Sequence, residues 1–363
     1  MKRRKLLAHG AAVLSGTAVL AADSAEWVSS PTHTPAPSNI GMADVEQVEA
    51  ATRAMRALDY QFGGGACRDA VVAQLSWAQR LLSASSTDGV RTRLFRALAD
   101  MQNVAGWTSF DVGLLDSSRK HFAIALEYAK QSGDLDLLSN IMYRIGRVFL
   151  HHGAPHEALM WFQQGQRPAQ DSRSELAVAV LCGNEAWAYA MMGDGAQATK
   201  LLGRSRDELA RADLSKAPDW ARFYNETDMH AMTGTVHTVL SAFDIKHAAI
   251  AIPAINQSLV HYDESMSRSR TFMLTALATN HLRQGDVDHG VRIGRDAVTL
   301  ATGLQSKRVT DRLRPLELAA AASNNSDSHQ LADLIRRHRW PVRPSGRLVG
   351  SADGRELGAA RGR

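Results

Sequence analysis

A chain of 363 residues with 45% hydrophobic and 22% charged residues is long enough to bury a large core and reads as globular. The pI of about 9.3 points towards nucleic acid, but the charge is unevenly placed. Lys2, Arg3, Arg4 and Lys5 carry +4, residues 336–363 carry eight arginines against Asp353 and Glu356, and the total is +5, so the body between them is acidic, at −5. That distribution excludes a uniformly basic DNA reader and leaves two basic ends able to make weak, salt-sensitive contacts with anionic surfaces.

Residues 1–43 read as a signal-like and linker segment. Arg3-Arg4-Lys5-Leu6-Leu7, then the apolar run Ala11 to Ala22, fits a twin-arginine export pattern. The run is too short to span a bilayer, which takes roughly 20 apolar residues. "SSPTHTPAPS" (29–38) lacks the apolar residues needed to pack. Two readings follow: an export signal with a tether, or an internal linker of a longer protein.

From Asp44 onward alanine and leucine dominate, and β-branched alternation is rare, which predicts an all-helical body over 44–340. Asp44 is expected to cap a first helix whose inner face holds Val45, Val48, Ala51, Met55 and Leu58. A second helix follows, with Val71, Leu75, Ala78, Leu81 and Leu82 on one face. Between them stand Gly63, Gly64 and Gly65. A phosphate loop would need a following Gly-Lys-Ser/Thr, and a dinucleotide fingerprint would need a preceding strand; neither is present, so the triplet reads as an interhelix turn.

A pattern then recurs. Gly106, Gly146, Ala186, a position near Val236, and Ala278 mark equivalent small residues, each followed by a turn containing Gly113, Gly153, Gly193-Asp194 or Gly285-Asp286, the weaker copy near Val236 excepted. Small residues at fixed points let antiparallel helices approach closely, and no single pair can bury its apolar face alone. The expected fold is an all-α, tetratricopeptide-like helical-repeat solenoid, a right-handed superhelix of antiparallel helix pairs. Its units are longer than the usual repeat of about 34 residues. Leu331, Leu334 and Ile335 are expected to face inward on a closing helix, and residues 341–363 to form a basic disordered tail.

Chemistry-bearing motifs are sparse. His151, His152, His156 and Glu157 are interrupted by Gly153 and Pro155, which argues against a shared metal-binding face. Cys67 and Cys182 have no metal-ligand spacing; two buried thiols are favoured, with a disulfide left open. No nucleophile set stands out, so the reading is a non-enzyme with no cofactor and no metal.

"LDYQFGGGACRDAVVAQL", "AGWTSFDVGLLDSSRKHFAIALEYAKQSGD", "PDWARFYNETDMHAMTGT" and "SRSRTFMLTALATNHLRQGD" together resemble a family of actinobacterial, Streptomyces-type tetratricopeptide-repeat regulatory proteins. The likeness runs from about Asp44 to His338 and is to the C-terminal region of helix-turn-helix, Cro/repressor-type transcriptional regulators. Residues 1–43 show no helix-turn-helix pattern, so sequence-specific DNA binding by this chain is not carried over. The resemblance implies a cytoplasmic sensor or interaction module in transcriptional regulation of development or secondary metabolism. It would bind a protein or peptide partner, among which a DNA-binding regulator or a second copy of the chain is allowed. The other reading is a twin-arginine-exported scaffold at the cell envelope. In such solenoids the first helices of successive pairs line a concave groove, which here assigns Asn103, Trp107, Tyr143, Arg147, Trp187 and Arg283 to partner binding. For Trp107 and Trp187 the competing reading is plain packing between repeats.

Overall fold

The computed structural model describes residues 34–338. The helices α1 (Met42–Phe62) and α2 (Arg68–Arg80) lead into five antiparallel pairs. These are α3 (Asp88–Asp111) with α4 (Leu115–Ser132), α5 (Leu135–His151) with α6 (Pro155–Asp171), and α7 (Glu175–Met191) with α8 (Gly195–Arg211). Then come α9 (Glu226–Leu240) with α10 (Ala248–His261), and α11 (Ser267–Arg283) with α12 (Val287–Thr302). Two short helices, α13 (Lys307–Arg312) and α14 (Arg314–Ala321), and the final α15 (Ser326–Arg337) complete the described residues. No strand occurs among them, only a parallel bridge between Asn39 and Ser85. The fold is the expected all-α helical-repeat architecture. The expectations for the leader and for the basic tail lie outside the described residues.

Local chemistry starts and stops these helices where the sequence demands. The side chains of Asp134 and Asp194 accept from the backbone N–H of Leu137 (2.8 Å) and Gln197 (3.0 Å), satisfying donors that an open helix end leaves orphaned. The preceding Gly133 and Gly193 hold φ of 69° and 81°, the left-handed region that a side chain disfavours. At the crossings, small faces large. A Cβ added to Gly106 would meet the Phe122 ring at 2.9 Å, and one added to Gly146 would meet Phe162 at 2.3 Å. Phe162 is fully buried, worth roughly 1.5–3 kcal/mol of transfer free energy.

Four sequence expectations shift. The fourth small residue is Gly234, whose Cβ would meet Ile255 at 2.4 Å, rather than a position near Val236. The long interval before it accommodates the segment 212–225, which buries Trp220, Ala221 and Tyr224: Tyr224 packs against Ser205 and Met229 of the third and fourth pairs, and Trp220 reaches back to Arg96 on α3. Asp44 does not cap α1: it sits in the first turn and accepts from the N–H of Gly41 at 2.8 Å. Leu58 and Leu334 are exposed, at 38% and 42%, whereas Asp59 and Ala332 occupy the buried positions beside them. Cys67 and Cys182 are both free and buried, and burial pushes their thiols up to about 12 and about 11.

The repeat curls until its ends meet. The Asp59 carboxylate accepts two bonds from Arg268 on α11 (2.9 and 3.0 Å), although the two are 209 residues apart. Asp111 accepts from Arg308 Nε on α13 at 2.8 Å. The glycine triplet is the clasp between them. Gly65 N–H donates to the Gln305 carbonyl (2.9 Å), Gln305 N–H donates to the Phe62 carbonyl (3.0 Å), and Gly64 N–H donates to Asp111 Oδ2 (2.8 Å). A Cβ at Gly65 would come within 2.8 Å of both Gln305 Cβ and its carbonyl oxygen. So the glycines do separate two helices, and they also bring bare backbone against the far end of the chain.

Candidate functional site

The curl encloses a cavity of about 990 Å³ with a smaller chamber of about 150 Å³ beside it. Arg147, Trp187, Phe272, Arg308 and Arg312 wall both. The lining comes from α3, α5, α7, α9 and α11, from α13 and α14, from Tyr60 on α1, and from the loops that carry Phe223, Phe243, and Tyr262 with Met266; the second helices of the pairs contribute none of it. The inner face is therefore the first-helix face. Side chains three and four apart on one helix share that face, which is how Tyr143, Arg144, Arg147 and His151 come together on α5.

Of the residues read from the sequence, Trp107, Tyr143, Arg147, Trp187 and Arg283 line the cavity or its side chamber. Asn103 does not. It is fully buried and donates to Asn140 Oδ1 at 3.0 Å, joining α3 to α5 beneath the surface. Arg283 is committed at its guanidinium, donating to the Thr238 carbonyl (2.6 Å) and to Ser241 Oγ (2.7 Å). Trp107 is nearly buried yet holds two arginines over its ring, Arg308 at 4.4 Å and Arg144 at 5.1 Å. Trp187 is flanked likewise by Arg312 at 4.6 Å and Arg147 at 4.7 Å. Sequence reading missed Arg144, Phe272, Arg308 and Arg312. The signal for the last two was available in their four-residue spacing on a short helix, but a charge run there reads as a solvated face.

The electrostatics are lopsided. Seven arginines line the two chambers against two aspartates, Asp228 and Asp311. Arg268 is answered by Asp59: burial opposes its charge, but Asp59 and Asp111 raise its pKa above the ordinary value. Arg308 has Asp111 behind it, yet burial brings its pKa down to about 10. Arg144, Arg147 and Arg312 form no ion pair among the described residues. Burial, with Arg147 and Arg308 close by, holds the Arg312 pKa well below the usual range. Asp311 is occupied by His151 Nε2 (3.1 Å) and Lys307 Nζ (2.6 Å), and burial lowers the His151 pKa. Asp228 accepts from Tyr262 Oη at 2.9 Å, and burial pushes its carboxyl up to about 6. No cluster of three or more His, Cys, Asp or Glu placed for a metal ion occurs among the described residues. Nor is any helix among them long and apolar enough to cross a membrane.

No family model matches the chain, and no curated protein matches it. Among solved structures it is similar to BtubC (BKLC) from P. vanneervenii, at 15% identity over 65% of this chain and 89% of that one, with a TM-score of 0.45. A likeness at that level carries no argument about function; the architecture stands on its own helices.

Proposed function

We propose that the protein is a non-enzymatic regulatory module whose inner cavity binds a segment of a protein or peptide partner, in the transcriptional control suggested by its sequence resemblance. The observation that supports this most is the cavity itself. At about 990 Å³ it is large enough for several side chains of a guest. Its walls are arginine and aromatic residues, the types that dominate binding hot spots. Its small residues, among them Thr235, Thr238, Ser241 and Thr275, leave room for a guest, while their hydroxyls are turned to backbone carbonyls of their own helices.

A photoreactive amino acid tests this directly. Placed at Ala242 on the cavity rim, it is expected to yield a discrete protein or peptide adduct in the source cells; placed at Glu127 on the outer helix α4, it is expected to yield none. Equal labelling from both faces would set the reading aside. For the regulatory half, a strain carrying Arg147→Glu should reproduce the transcript changes of a deletion strain. A wild-type transcript profile would remove Arg147 from the site.

A further inference from the structure

The cavity carries more positive charge than the protein itself answers. Arg147 and Arg312 both lie within 5 Å of the Trp187 ring centroid, so their guanidiniums share one wall. Arg312 also stacks over Phe272 at 4.4 Å, and Arg308 packs against that same ring at 5.5 Å. Arg147 makes only long bonds to the neutral Tyr143 Oη (3.5 Å) and Asn184 Oδ1 (3.3 Å). Arg144 is 5% exposed and donates no hydrogen bond to any described residue. Guanidiniums gathered on aromatic faces without carboxylates are held in place by stacking while their N–H edges stay free. That arrangement suits bidentate recognition of a planar anion.

We propose that the wall formed by Arg147, Arg312 and Trp187, with Arg144 and Phe272 beside it, is an anion-recognition site for a carboxylate carried on an apolar or aromatic body. The inference rests on the cavity being a partner site and names what the partner must present there: an acidic group next to a bulky apolar one. The arginines balance the anion, and the indole and phenyl rings receive the apolar part. The site needs an anion because the nearby aspartates are engaged elsewhere: of the two that line the chambers, Asp311 is held by His151 and Lys307 and Asp228 accepts from Tyr262, while Asp59 and Asp111 behind the wall are held by Arg268 and Arg308.

Two fluorescent probes that share a ring system separate charge from apolar fit. Anilinonaphthalene-8-sulfonate carries an anion, and N-phenyl-1-naphthylamine is its neutral counterpart. Wild-type protein is expected to bind the anionic probe at least about tenfold more tightly, with an affinity that falls as salt rises. Arg312→Gln should remove that advantage, the anionic probe losing about tenfold more affinity than the neutral one, and Arg312→Lys should restore part of it; Arg147→Gln gives the same readout should Arg312→Gln fold poorly. Equal binding of both probes by wild type, or an anionic affinity untouched by both Gln variants, would overturn the anion site while leaving the cavity a binding site. Binding of neither probe would overturn both readings. Competition then identifies the source of the carboxylate. Displacement of the anionic probe by a capped acidic–aromatic peptide supports the partner-segment reading. Displacement by 1-naphthoate but not by the peptide keeps the anion site and overturns the partner segment in favour of a free organic acid. Displacement by neither overturns the carboxylate assignment.

Discussion

At the residue scale, the consequential groups are charged side chains that the fold has taken out of water. Asp228 shows this most simply. Its carboxyl is pushed up to about 6 by burial, above the ordinary 3.8, so the folded protein favours its neutral form. The penalty for ionising it is absent below about pH 4 and complete above about pH 6, so this group makes stability fall as pH rises through that window. The magnitude is about 2 kcal/mol after allowing for its partial exposure. Asp228→Asn keeps an acceptor for Tyr262 and cannot ionise. The variant should gain about 2 kcal/mol relative to wild type between pH 4 and pH 7.5, read from urea midpoints; a difference that does not vary with pH would remove the assignment. Residues of this kind were the least legible in the sequence. Asp59, Arg268 and Arg308 carry no local mark of burial, because their partners lie 209 and 197 residues away. Arg147 and Trp187 were readable because the repeat places them at first-helix positions.

At the element scale, the first, second and fourth helix pairs are set by a glycine facing a large side chain, and the two kinds of glycine can be told apart. Gly146→Ala drives a Cβ into the Phe162 ring at 2.3 Å and should cost about 1–3 kcal/mol. Gly203 lies in α8 with nothing within 4 Å of where its Cβ would be, so Gly203→Ala should stabilise by about 0.8–1 kcal/mol through helix propensity alone. Thermal unfolding of the two variants should move the melting temperature in opposite directions. The 40-residue spacing of Gly106, Gly146 and Ala186 made the first three pairs legible. The fourth was blurred because the 212–225 insertion breaks the interval, and periodicity has no means of showing what an insertion packs against. The same limit applies to the glycine triplet. Its turn was readable from neighbouring helical patterns, but its backbone pairing with Gln305 belongs to no local pattern.

At the scale of the whole molecule, an open solenoid would hold only neighbour-to-neighbour contacts and could come apart piecemeal. Here buried ion pairs and backbone bonds tie α1 and α3 to α11 and α13. Removing one partner of a buried pair strands the other, at a cost of about 3–5 kcal/mol. Arg268→Leu should therefore lower global stability by that amount, and amide exchange should accelerate both around Asp59 and across 305–313. Faster exchange confined to α11 would mean the closure bears no weight. The cavity depends on the same closure, since Arg308 and Arg312 reach it only from the segment that the glycine clasp holds in place. Closure also fixes the copy number of the repeat. Open arrays lengthen or shorten by whole units through duplication and deletion, each end being free to move. In a ring latched by Asp59–Arg268 and Gly65–Gln305, one pair more or fewer would carry the two halves of the latch past each other. The route left open to divergence is exchange of side chains on the inner wall, with the number of units held constant.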